Sequence, residues 1–108
     1  MTDSHERRAR NEAVFRAANE AILGPARPAG LLTFLCECGD ERCKDALNLT
    51  YEEYEDVRRD PACFAVIPGH ESPDETVMET RERFALVEKQ GVGRAIAERM
   101  DPRARWKE

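Results

Sequence analysis

The chain has no apolar run approaching the roughly 20 residues that a membrane-crossing helix needs, and no surplus of positive charge. Seventeen Lys and Arg face 22 Asp and Glu, a net charge of −5 at neutral pH. A protein that coats nucleic acid without regard to sequence draws on a Lys/Arg excess, so that class is disfavoured. No Gly-rich phosphate loop, no Ser/His/Asp set and no pair of carboxylates in an apolar setting can be found. The residues therefore offer no basis for catalysis, and we expect no enzyme. The amino terminus is charged and lacks a secretory apolar stretch, which leads us to expect a cytoplasmic protein. Lysine is scarce, 3 against 14 Arg, a bias that points to no site.

Against these absences stand four cysteines in 108 residues with only two histidines. A chain of this length forms one domain with a shallow core, burying about 60 to 70% of its unfolded surface, so a metal often supplements packing. With no export signal, an even number of cysteines reads more naturally as reduced metal ligands than as disulfides.

Periodicity predicts the elements. From Asp3 to Leu23, Val14, Phe15, Ala18, Ala21 and Ile22 fall on one face of a helix, with Glu12, Arg16 and Glu20 opposite. Gly24 to Gly30 reads as a stiff connector. Leu31 to Leu35 is a continuous apolar run of strand length, expected to be buried on both faces. With Ala46 to Leu49 it predicts a hairpin carrying cysteines at its tip. Thr50 and Glu53 have capping-box spacing, and Leu49 and Tyr54 that of a hydrophobic staple, so a short helix is expected to end before Pro61. Cys63 to Ile67 and Phe84 to Lys89 read as strands, and residues 76–89 as one bent strand or two. Val92, Ile96 and Met100 predict a final helix. We expect an α+β fold in one domain over residues 1–108, with 1–8 and 102–108 frayed: an N-terminal helix, a small antiparallel sheet with a zinc-bound cysteine turn, a short capped helix and a C-terminal helix.

Cys36, Cys38 and Cys43 form C-x-C-x4-C, three thiols in one turn that Gly39-Asp40 can bend sharply. Zinc takes such thiolates and an imidazole in a tetrahedron. The fourth ligand is sought among His70, Cys63 and His5, and His70 is preferred because Pro68-Gly69-His70 is a loop that can present its ring just beyond a strand. Cys63 sits in an apolar run where a free cysteine is usually a small buried hydrophobe. A set of three cysteines and a histidine also holds two-iron clusters in the CDGSH proteins, but the spacing here departs from theirs, and we rank Zn2+ first. Three thiolates and a closed shell quench Lewis acidity, so the ion is read as structural. Glu71 is expected to be solvated or to accept a hydrogen bond from a ligand.

Arg7, Arg8, Arg10 and Arg16, with Arg103, Arg105 and Lys107 in the tail, could contact nucleic acid. Interleaved Glu6, Glu12 and Glu20 favour a solvated face instead. Trp106 could anchor a partner or fold back on the body. The acidic run Glu52, Glu53, Glu55 and Asp56 reads as the solvated side of the capped helix.

The segments RNEAVFRAANEAI, FLCECGDERC, LTYEEYEDVRRDPACFAVIPGHE and FALVEK together resemble a family of small, mostly uncharacterised bacterial proteins from high-GC Gram-positive hosts and their phages. The resemblance covers most of residues 10–100. It implies that these segments form one domain with Cys36, Cys38, Cys43 and His70 in its motif-bearing stretches, and it carries no activity. The expected function is a non-enzymatic, zinc finger-like regulatory module that binds another protein away from membranes. A nucleic-acid-binding zinc protein and a zinc-thiolate redox sensor are the alternatives.

Overall fold

A computed structural model describes residues 2–24 and 29–103, with the side chains of the first helix from Glu6 onward. The fold is α+β, in the order α1 (Thr2–Leu23), β1 (Leu31–Leu35), β2 (Ala46–Thr50), α2 (Tyr51–Val57), β3 (Cys63–Val66), β4 (Glu75–Thr80), β5 (Ala85–Lys89) and α3 (Gly91–Arg99). The expected single sheet is two: the antiparallel hairpin β1-β2, and a three-stranded antiparallel sheet in the order β3-β5-β4. Among the described residues no helix is long and apolar enough to cross a membrane.

The hairpin pairs Leu31 with Thr50 through Leu35 with Ala46, leaving the cysteine turn at its tip. Thr50 then caps α2 as its spacing requires. Its Oγ1 accepts from the Glu53 amide at 3.1 Å, and Glu53 Oε1 accepts from the Thr50 amide at 2.9 Å. Such a cap is worth about 1 kcal/mol. Leu49 and Tyr54, the staple residues, are both fully buried, and the Tyr54 ring stacks on Phe34 at 4.5 Å. Glu53 is more than a solvated acid, because Arg83 clasps it through two bonds of 3.0 and 2.8 Å. Residues 76–89 resolve into two strands, with a register shift in β4 between Val77 and Glu79.

Two expectations about buried faces fail. The β1 run is not buried on both faces: Phe34 is enclosed, while Leu31 is 57% and Leu35 37% exposed. In a two-stranded sheet only one face has a core to meet. The expected final helix forms as α3, where the buried residues are Gly93, Ile96 and Ala97, and Val92 and Met100 are exposed. The stem of Lys89 lies against Gly93 so closely that a Cβ there would stand 2.6 Å from its Cε.

The first helix is turned about. Val14 and Ile22 face solvent, and the fully buried residues include Glu12, Arg16 and Asn19. These polar side chains meet backbone groups at the ends of other elements. Asn19 Nδ2 donates to the Leu35 carbonyl at 2.9 Å and its Oδ1 accepts from the Leu35 amide at 2.8 Å. Arg16 donates to the carbonyls of Pro61 and Ala97 and lies over the Phe64 ring at 4.8 Å. The Ala97 carbonyl is among the last of α3, which no intrahelical donor can reach. Glu12 meets Lys89 Nζ at 3.0 Å, and Lys89 also faces Asp74 and Glu75.

At the ends expected to fray, α1 is helical from Thr2, and Arg103 is ion-paired to Glu20 and Glu55. Buried Arg58 joins Glu20 to Asp101 in the same network. Residues 25–28 of the expected connector, and Arg105, Trp106 and Lys107 of the tail, lie outside the described residues.

Candidate metal centre

The turn after β1 begins as an extension of the hairpin, with the Cys36 amide bonded to the Asp45 carbonyl at 3.0 Å. The next residue crosses to the other sheet. The Glu37 amide donates to the Ala65 carbonyl at 2.9 Å, and Glu37 Oε1 accepts from the Ala65 amide at 3.0 Å, so Cys36-Glu37-Cys38 lies along the free edge of β3. Alternation in an extended segment sends neighbouring side chains to opposite sides. Glu37 enters the core, where its Oε2 accepts from Tyr54 at 2.6 Å and Asn19 at 2.8 Å. Burial pushes its carboxyl pKa above the usual range, and the three donors oppose that shift. Cys36 and Cys38 face the other way.

Gly39, with φ of +80°, then turns the chain against α1. Asn11 Nδ2 donates to the Gly39 carbonyl at 3.1 Å. Asp40 Oδ1 accepts from the Arg42 amide at 2.9 Å and the Asp40 carbonyl from the Cys43 amide at 3.0 Å, a turn that brings the third cysteine back. The fourth residue arrives from the far side of β3. The His70 amide bonds to the Ile67 carbonyl at 2.9 Å, and Gly69 has a φ of +95°. Arg8 Nη2 donates to the His70 carbonyl at 3.2 Å, so α1 holds both halves of the site.

The ligand atoms of Cys36, Cys38, Cys43 and His70 all lie within 4.8 Å of one another. His70 Nδ1 is 3.7 Å from both Cys36 Sγ and Cys43 Sγ. A zinc tetrahedron with bonds of about 2.3 Å to sulfur and about 2.0 Å to nitrogen has S···N edges of about 3.5 Å and S···S edges of about 3.8 Å. The four residues can therefore hold a metal ion with little movement. The Ile67 amide donates to Cys36 Sγ at 3.2 Å, a bond that favours thiolate over thiol.

The hydrogen bond from Cys36 draws the Cys38 pKa down to about 5, while the same bond and burial push Cys36 up; burial also raises Cys43. Cys36 and Cys38 are buried and Cys43 is half-buried. The side chain of His70 is one-third exposed.

Of the other ligands considered, Cys63 lies elsewhere. It is buried beside Asp60 and Glu88, its thiol pushed up to about 11 by burial and then by those two charges. Arg94 supplies the cation for that group, 3.3 Å from Asp60 and 3.2 Å from Glu88. The His5 side chain falls outside the described residues. Glu71 accepts from the Gly69 amide at 3.1 Å and so shapes the loop. The carboxylate at the outer nitrogen of His70 is that of Asp45, with Oδ2 3.9 Å from Nε2. At that distance the two atoms are not hydrogen-bonded, and Asp45 borders the ring without fixing its tautomer. Asp45, two positions after Cys43, is a neighbour of the site that the sequence did not single out.

No protein-family model, no curated protein and no solved structure matches the chain. What the chain does has to be drawn from its own residues.

Proposed function

We propose that the protein is a zinc-stabilised, non-enzymatic regulatory module that works by binding another protein in the reducing cytoplasm, where its thiols remain available as ligands. The observation that carries this reading is the convergence of three sulfurs and one imidazole within 4.8 Å of one another, with His70 Nδ1 3.7 Å from two of the sulfurs. The donor set favours zinc among divalent ions, and four protein ligands leave no open position for an activated water. The ion would join the hairpin tip to the loop after β3, two segments 27 residues apart at Cys43 and His70. Binding free energy at such sites is folding free energy, on the order of 10 kcal/mol, comparable with the whole stability of a small domain.

Val14 and Ile22 of α1 and Leu31 and Leu35 of β1 are exposed apolar side chains on which a protein partner could pack. Nucleic-acid binding loses support, because Arg16 is buried against carbonyls and Arg103 is engaged by two glutamates. The test is elemental analysis of protein purified under reducing conditions, with cobalt substitution to report three-sulfur, one-nitrogen ligation. One zinc per chain and a tetrahedral cobalt spectrum are expected. A metal-free chain that remains fully folded would overturn the reading. Affinity capture from host lysate, with the metal retained, then tests the partner: recovery of none at low salt removes that half of the proposal.

A further inference from the structure

We infer that Cys43 is a modification site, the thiolate at which a hydroperoxide opens the metal centre by way of a Cys38–Cys43 disulfide. The inference rests on the zinc reading above and adds a regulation to that site.

The four ligands are not equally placed. Cys36 is 2% exposed and Cys38 1%, whereas Cys43 is half-buried. An open groove runs up to the centre, lined among others by Arg8, Cys38, Arg42, Cys43, His70 and Glu71. Cys36 is missing from its walls, with its sulfur turned toward the Ile67 amide. A small oxidant entering from solvent therefore meets the sulfur of Cys43 first, and Cys38 is the second sulfur along its path. Arg8 and Arg42 line the same groove, as do Asp40 and Glu71.

The chemistry follows from this order. The Cys43 thiolate attacks one peroxide oxygen; an S–O bond forms, the O–O bond breaks, and hydroxide departs and is protonated to water. Cys43 is now a sulfenic acid. The Cys38 thiolate then attacks that sulfur, the S–S bond forms, the S–O bond breaks, and a second hydroxide leaves as water. Two thiolates have lost two electrons, and the peroxide has taken up those electrons and two protons to become two waters. Only Cys36 and His70 remain as ligands, too few to keep the ion. The strap between the hairpin tip and the loop after β3 is released.

Cys63 is a control within the same chain. It is buried, away from the groove, and held as the neutral thiol, so it stays reduced while the centre reacts.

The experiment uses the intact protein. Its zinc content is measured first; hydrogen peroxide is then added in molar excess, release is followed with a zinc-binding dye, and the disulfide is located by peptide mass spectrometry. The expected result is loss of one zinc per chain in step with a Cys38–Cys43 disulfide, reversed by dithiothreitol and added zinc. The Cys63→Ser variant should release zinc at the parent rate. Zinc retained under excess peroxide, a disulfide that uses Cys36 or Cys63, or slower release from Cys63→Ser would each overturn the inference while leaving the zinc reading intact. Protein isolated without zinc would instead remove the reading on which it rests.

Discussion

Gly39 lies so close to Arg8 that a Cβ on the glycine would stand 2.6 Å from the Arg8 carbonyl oxygen. Glu12 Cγ would be equally near. The cysteine turn is thus seated directly on α1, and only a residue without a side chain, at a φ of +80°, allows it.

Gly39→Ala should accordingly lower stability by about 2 to 4 kcal/mol, from backbone strain and overpacking together. Thermal unfolding followed by circular dichroism would read this as a lower Tm, and competition with a zinc-binding dye as weaker metal affinity. A variant with unchanged Tm and affinity would contradict the seating of the turn on the helix.

Asn19→Leu removes the side chain that completes the end of β1. The Leu35 amide and carbonyl each lose a partner, while Glu37 Oε2 keeps only Tyr54. Leaving such groups unpaired costs about 1 to 3 kcal/mol apiece, so a loss of about 2 to 5 kcal/mol is expected in urea unfolding. The pattern on the helix surface alone would suggest a stabilising change, which makes the sign of the effect informative.

Glu12 gives stability a pH dependence. Burial, then the hydrogen bond and charge of Glu75, push its carboxyl from the ordinary 4.5 up to about 10, against the pull of Lys89. In the folded chain Glu12 keeps its proton at neutral pH, whereas in the unfolded chain it gives the proton up. Its contribution is therefore fully present below the unfolded value and is lost as pH rises toward the folded one. Chemical denaturation between about pH 5 and 9 should show stability falling with pH, and Glu12→Gln, which mimics the protonated form, should flatten the slope. An equally steep slope in that variant would assign the effect to another group.

Metal removal separates the two candidate fourth ligands. His70→Ala should lose bound zinc and unfold well below the parent temperature, while Cys63→Ser should keep the full zinc content. Zinc lost with Cys63→Ser and kept with His70→Ala would show that the geometry around the sulfurs is misread.

The local features were legible in the chain and the distant ones were not. Thr50 with Glu53, and the three cysteines with the bend at Gly39, announce themselves within a few residues because the chemistry that pairs them is local. His70 could be reached by reasoning about loops after strands. The inward face of α1 could not. Its partners are backbone groups, the Glu37 carboxylate and one lysine, as far away as Ala97 and Lys89, 81 and 77 positions along the chain. Hydrophobic periodicity assumes that a buried helix face is apolar; a face whose Glu, Arg and Asn find orphaned backbone donors and acceptors, or a buried ammonium, breaks that assumption. The same holds for Leu31–Leu35, where an apolar run could not reveal that its sheet would have only two strands.

Arg94, fastened between Asp60 and Glu88 beside Cys63, has a consequence for metal stoichiometry. A guanidinium tethered to the same fold meets its carboxylates at an effective concentration of about millimolar or more and offsets the negative charge a metal ion would seek there. It acts as a resident counter-ion that keeps the second sulfur and its acids from recruiting a guest. Titration with excess zinc should therefore saturate at a single equivalent, and uptake of a second would show that the arginine does not keep ions from Cys63 and its two acids.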